Sequence, residues 1–166
     1  YTLKNEVVLG GVWYPQHAFY KAVGLDVSYA HHFNDLIGWE VLRANLTARW
    51  DTHLKDLLYE EWGAEPEEFE EVKYAFTSHL QIKPFYGKFA LANRSLVRAE
   101  VYFTVGGGLA FTTWRKVPLV NLGVGARVYL HPNWSTRFEF EEQLFLQDKT
   151  VRDNLVLHLG IARSFR

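Results

Sequence analysis

Seven histidines and a scatter of serines are the residue types in this 166-residue chain that could carry catalysis. Ser78 directly precedes His79, and His131, His158 and Ser164 are the other candidates for a serine–histidine pair. Nucleophilic catalysis needs hydroxyl and imidazole within hydrogen-bond reach. Neighbours along a strand point to opposite faces, so Ser78 and His79 cannot pair directly. No catalytic residue is therefore assigned. His17, His31, His32 and His53 show no shared-face spacing of metal ligands, and His31 and His32 point opposite ways, so no metal site is expected. The chain has no cysteine, which removes thiolate metal sites and a disulfide framework. Gly106-Gly107-Gly108 is followed by no helix and is no phosphate loop; glycine there serves curvature or close packing of side chains. No cofactor is implied.

The charged residues are more informative, because they alternate with apolar ones. In Arg98–Phe111, Ala99, Val101, Phe103, Val105, Leu109 and Phe111 share one face, and Arg98, Glu100, Tyr102, Thr104, Gly106 and Gly108 share the other. A two-faced strand of about a dozen residues suits a tilted membrane crossing of about 9–11. The same reading runs through the chain. Val23, Leu25, Val27, Tyr29 and His31 face out with Asp26 in. Leu42, Ala44, Leu46, Ala48 and Trp50 face out with Arg43, Asn45, Thr47 and Arg49 in. Tyr74, Phe76, Leu80 and Ile82 face out with Thr77, His79, Gln81 and Lys83 in. Val120, Leu122, Val124, Ala126 and Val128 oppose Asn121, Gly123, Gly125 and Arg127. Phe138, Phe140, Glu142 and Leu144 oppose Arg137, Glu139, Glu141 and Gln143. Leu155, Leu157, Leu159, Ile161 and Phe165 close the series, and a first strand over Leu3–Trp13 carries Glu6.

Eight such strands predict an all-β fold: a single-domain (1–166), eight-stranded antiparallel up-and-down transmembrane β-barrel, closed so that no edge is left unpaired. Trp13, Trp39, Trp50, Tyr74, Tyr129 and Trp134 lie near strand ends, where aromatic girdles sit. No run of about 18 apolar residues exists, so no transmembrane helix is expected, which leaves a barrel open. The net charge of −1 and pI near 6.7 supply no basic field for nucleic acid. Methionine is absent, and the sequence reads as a mature or trimmed product.

The inward charges are Glu6, Asp26, Glu100, Glu139 and Glu141 against Arg43, Arg49, Lys83, Arg98, Arg127 and Arg137, five acids facing six bases. Unpaired charges in a narrow lumen cost several kcal/mol each, so near balance predicts a paired network plugging the barrel. One long insertion, 51–72, is acidic, and Asp56, Glu60, Glu61, Glu65, Glu67, Glu68, Glu70 and Glu71 make it a candidate partner-binding loop. Leu54, Leu57, Leu58 and Trp62 give it a short amphipathic helix over 51–62, which Pro66 ends. A solvated external loop is the plainer reading. Residues 85–95 read as a connection with room for a helical turn, and 147–153 as a loop. With both termini periplasmic, segments 14–21, 49–73, 113–117 and 147–153 face outside. The turns near 34, 84–97 and 131–134 then face the periplasm.

Lys83-Pro-Phe-Tyr-Gly-Lys-Phe89, Val101-Tyr-Phe-Thr-Val-Gly-Gly-Gly108 and Asn121-Leu-Gly-Val-Gly125 resemble the outer-membrane β-barrel domain family of myxobacteria and related predatory bacteria. In that family a P-x-Y-G-K segment precedes a strand ending in G-x-G, and a later strand repeats G-x-G. The match covers roughly residues 70–166, and the first half resembles small OmpA-like barrels in pattern. The resemblance implies an outer-membrane location and an eight-stranded barrel, and some relatives belong to envelope complexes, gliding-motility machinery among them; the expected partners are outer-membrane lipid and lipopolysaccharide and other envelope proteins. It carries over no catalytic residue.

Three functions are thus open. The first is a non-enzymatic anchor or scaffold of an envelope assembly, with the acidic loop and the 84–97 connection as contact surfaces. The second is an outer-membrane lipid-modifying enzyme, which needs a serine or aspartate beside His79 or His158 at the lipid interface. The third is a soluble lipocalin-type barrel, which needs every facing reversed.

Overall fold

In the computed structural model, which describes residues 4–15, 20–51, 72–91, 95–113, 115–147 and 150–166, the chain is all β. The strands are β1 (Asn5–Tyr14), β2 (Tyr20–His32), β3 (Ile37–Asp51), β4 (Val72–Leu91), β5 (Ser95–Thr112), β6 (Lys116–His131), β7 (Trp134–Gln147) and β8 (Thr150–Phe165). Each pairs antiparallel with the next, and β8 returns to β1, so the sheet is a closed up-and-down barrel. No helix occurs among the described residues. The helix expected in the acidic insertion, and that insertion's eight acids, lie outside them.

The alternation dictates which way the sheet curls. Leu9, Leu25, Leu46, Phe103, Leu122, Phe138 and Leu159 are exposed on the outer surface, while Glu6, Arg43, Gln81, Glu100, Arg127 and Glu141 are buried inside. Apolar outside and polar inside is the membrane-barrel pattern, and it sets the lipocalin-type reading aside, because among the described residues the lumen is lined mainly by polar and charged side chains. Two small apolar clusters are buried toward the end opposite the termini: Val12, Tyr14, Ala22 and Val156, and Ala75, Ala110, Val117, Leu119 and Phe145.

The registers also set the stagger. One hydrogen-bonded row runs from Asn5 through His31, Trp39, Leu80, Val105, Leu122 and Glu142 to Leu155. Because Leu157 pairs with Trp13, that row comes round to the level of Pro15, just past the end of β1 and ten residues above its start. Such a stagger tilts the strands by about 35–45° and leaves room only for the barrel's own side chains.

Bulges break the regular ladder, one of them between Tyr129 and His131 on β6, and two of the others correct the sequence reading. Between Tyr29/Ala30 and Glu40/Arg43 the register slips, so Glu40, in phase with the outward Leu42, turns inward and is fully buried. A second slip lies between Ile82 and Phe85, and a third between Val72 and Tyr74. Beyond the second, residues 85–91 and 95–97 are strand, and the connection read there is one long β-hairpin. Pro84 does not end the strand, because it sits at the bulge where the β3 ladder has already stopped. The loop read at 147–153 shrinks likewise: β7 runs to Gln147 and β8 starts at Thr150.

Candidate functional site: the lumen and the terminal mouth

Arg43, projected inward just past the β3 bulge, lies 2.7 Å from Glu40 Oε1 and 2.8 Å from both Glu139 Oε1 and Glu141 Oε2. Arg137 on β7 reaches Glu40 Oε2 at 3.1 Å, Glu139 Oε2 at 3.2 Å and Glu6 Oε1 at 3.4 Å. Arg127 on β6 joins Glu6 at 2.8 Å to Glu100 at 2.5 Å. Each guanidinium is therefore shared by at least two carboxylates from different strands, which is how the planar fork is best used.

Tyr102 ties the arginines together. Its ring lies 5.6 Å from the Arg127 guanidinium and 5.2 Å from that of Arg137, within cation–π range. Its hydroxyl donates to Glu139 Oε2 at 2.9 Å and accepts from Arg137 Nε at 3.1 Å. The ring occupies the space over Gly125, where a Cβ would stand 2.5 Å from the Tyr102 hydroxyl oxygen. Gly38 makes room for His32 and Gly106 for His79 in the same way. At these three inward glycines a long side chain lies where a Cβ would stand, whereas at Gly24 and Gly108 it is the backbone of the neighbouring strand that comes too close for one.

Among the described residues, the buried charges number six carboxylates (Glu6, Asp26, Glu40, Glu100, Glu139, Glu141) and four cations (Arg43, Lys83, Arg127, Arg137). Neutral donors serve the surplus acid. Ser28 and Gln81 donate to Glu40, Asn121 and Gln143 to Glu141, Tyr129 to Glu100 and Ser164 to Glu6. Lys83 Nζ lies 2.8 Å from His32 Nδ1, and His158 sits 3.9 Å from Asp26 and 4.0 Å from Glu141. Arg98 is not in this cluster: it is exposed at the mouth on the terminal side. The Arg49 side chain lies outside the described residues. Glu40 was missed by strict alternation, yet a signal existed, since the outward Trp39 and Leu42 are three apart where regular alternation allows two.

No nucleophile–base pair forms at the candidate serines. Ser78 faces outward, accepts from the Trp39 indole at 2.9 Å and donates to the Glu40 carbonyl at 3.2 Å. His79 faces inward, with Nδ1 3.0 Å from Glu40 Oε1 and Nε2 3.0 Å from Asn121 Nδ2. Ser164 is engaged with Glu6, and His131 is exposed at the terminal mouth. Among the described residues no group of three or more histidines and carboxylates is arranged to hold a metal ion.

That mouth is a cleft of about 930 Å³. It is bounded by the β2–β3 turn at Asp35 and Leu36, the β4–β5 hairpin at Pro84, Tyr86 and Arg98, and the β6–β7 turn at Leu130–Asn133.

No protein family's sequence profile matches the chain, and no curated protein matches it either. Solved structures do. The attachment invasion locus protein Ail of Yersinia pestis is 15% identical with a TM-score of 0.52, over 98% of this chain and 99% of that one. The Neisserial surface protein A, NspA, is 10% identical with a TM-score of 0.54, over 97% of each chain. What is shared is the fold. The chain is a closed, eight-stranded antiparallel β-barrel, the fold of those two proteins.

Proposed function

We propose that this barrel is a non-enzymatic outer-membrane protein that anchors or scaffolds a cell-envelope assembly, its lumen plugged by ion pairs. The observation that carries the reading is the contrast between an apolar outer belt and a lumen crossed by three shared arginines. A belt of that kind is solvated by lipid. A lumen whose charges hold one another offers a solute little to bind and no continuous water path. Such a barrel acts through its ends: the acidic 51–72 stretch connects β3 to β4 at one, and the β4–β5 hairpin lies at the other. Outer-membrane lipid, lipopolysaccharide and other envelope proteins are its partners in this reading, and motility machinery is the assembly suggested by the family resemblance. The lipid-modifying alternative finds no support in the serine and histidine geometry.

Two measurements test it together. Membrane partition with heat-modifiable gel mobility should show extraction by detergent alone and a fast unheated band. Planar-bilayer recordings of the refolded protein should show no discrete conductance steps. A protein soluble without detergent ends the membrane reading, and steady open-channel steps end the plug.

A further inference from the structure

The β4–β5 hairpin outgrows the rest of the barrel. β3 stops pairing with β4 at Ile37–Ile82, and β6 stops pairing with β5 at Tyr129–Arg98, whereas β4 and β5 pair as far as Leu91–Ser95. After the Lys83 amide, which donates to the Leu36 carbonyl at 2.8 Å, residues 84–91 have no strand on the β3 side among the described residues. That is roughly 25 Å of β edge. A closed barrel otherwise has no edge, and an open one is a template for a further strand.

The edge borders the mouth cleft, whose wall includes Pro84, Tyr86 and Arg98. Phe85 and Tyr86 are 64% and 60% exposed, which supplies apolar contact for side chains of an added strand. Charge selects the occupant. Residues 84–98 contain Lys88, Arg94 and Arg98 and no acid, and Arg98 is exposed on the cleft wall across from Asp35, whereas Lys83 is buried beside His32. Proline and lysine are also the usual devices that blunt an edge. Here Pro84 occupies only the start, and like charge repels a second copy of the same basic strand while favouring an acidic one. This chain's own acidic run cannot serve. It joins the ends of β3 and β4 at the opposite mouth, and copies in one membrane share its orientation.

We propose that the β4 edge and the adjoining cleft form a docking site for an extended acidic peptide segment of another envelope protein, bound by strand addition. This rests on the scaffold reading above and names how one partner would attach.

The test uses the intact barrel refolded in detergent micelles, with heat-modifiable mobility verified first. The probes are a fluorescent octapeptide of alternating glutamate and valine and its counterpart with lysine for glutamate. Binding is read by anisotropy and by amide hydrogen exchange. The acidic peptide should bind and slow exchange at 85–91, and the lysine peptide should not. Arg98→Glu should weaken the acidic peptide by about tenfold while leaving the gel mobility unchanged. Failure of the acidic peptide to bind a verified barrel, equal binding of both peptides, or protection confined to other strands would overturn the docking site. None of those outcomes touches the membrane reading, which falls only if the protein needs no detergent.

Discussion

Arg137→Leu is the most demanding perturbation of the lumen. It removes the cation that lies 3.1 Å from Glu40, 3.2 Å from Glu139 and 3.4 Å from Glu6, and leaves the Tyr102 hydroxyl without a donor. Each carboxylate keeps a second arginine: Arg127 for Glu6 and Arg43 for Glu40 and Glu139. The loss is therefore nearer one broken buried pair than three, about 3–5 kcal/mol. At a urea slope of about 2 kcal/mol per molar, the unfolding midpoint should fall by about 2 M. The six tryptophans give a fluorescence signal for the unfolding of the lipid- or detergent-refolded barrel. A midpoint shift under about 0.5 M would refute the claim that the lumen charges are mutually dependent. The double variant Arg137→Leu with Glu40→Gln supplies a check. Removing an acid that the arginine had served should make the pair cost at least about 1 kcal/mol less than the sum of the single changes.

Three further outcomes follow from particular contacts. Gly125→Ala pushes a methyl group against the Tyr102 ring and should cost about 1–3 kcal/mol in the same urea assay, and less on a Tyr102→Ala background. Leu122→Arg places a charge on the outer belt and should cost about 2–4 kcal/mol in a bilayer, whereas a barrel surrounded by water would tolerate it. Trp39→Phe removes the indole that donates to Ser78, beside the β3 bulge, and should cost about 1 kcal/mol while leaving the unheated gel band in place.

The sequence is legible wherever strict alternation holds. Val101–Val105, Val120–Val128 and Leu155–Ile161 show the outer face directly, and the closed eight-strand order follows from their number. Legibility fails at the bulges. Trp39 and Leu42 both face out although they are three apart, and Ile82 and Phe85 repeat the pattern. Reading through the first slip puts Glu40 in lipid, although it is the acid that meets Arg43, Arg137 and His79. Reading the second as a chain break turns a long hairpin into a loop, because Pro84 and Gly87 resemble turn residues when the partner strands are unknown. A three-residue interval between outward side chains is thus a sequence signature of a bulge. The pairing of charges inside is harder to read, since Glu6 and Arg137 meet across the lumen and not across neighbouring strands.

The polar lumen also explains how an eight-stranded sheet with a uniformly greasy exterior chooses one register. Outward leucines and valines differ little from one another, so lipid contact alone would accept many alignments of neighbouring strands. A slip of one residue exchanges faces, sending Glu139, Glu141 and Arg137 on β7 into lipid and Phe138 and Phe140 into the lumen. A slip of two residues keeps the faces but moves Arg137 away from Glu40 and Glu6, so each buried charge loses its partner. Shape enforces the same choice, because Tyr102 lies flat only over Gly125 and His79 only beside Gly106. The network is thus a specificity device whatever its net contribution to stability. A barrel locked in this way has little freedom left in its wall. The proposed recognition accordingly falls to the ends of the barrel, of which the β4–β5 hairpin, paired beyond the reach of β3 and β6, is the described part.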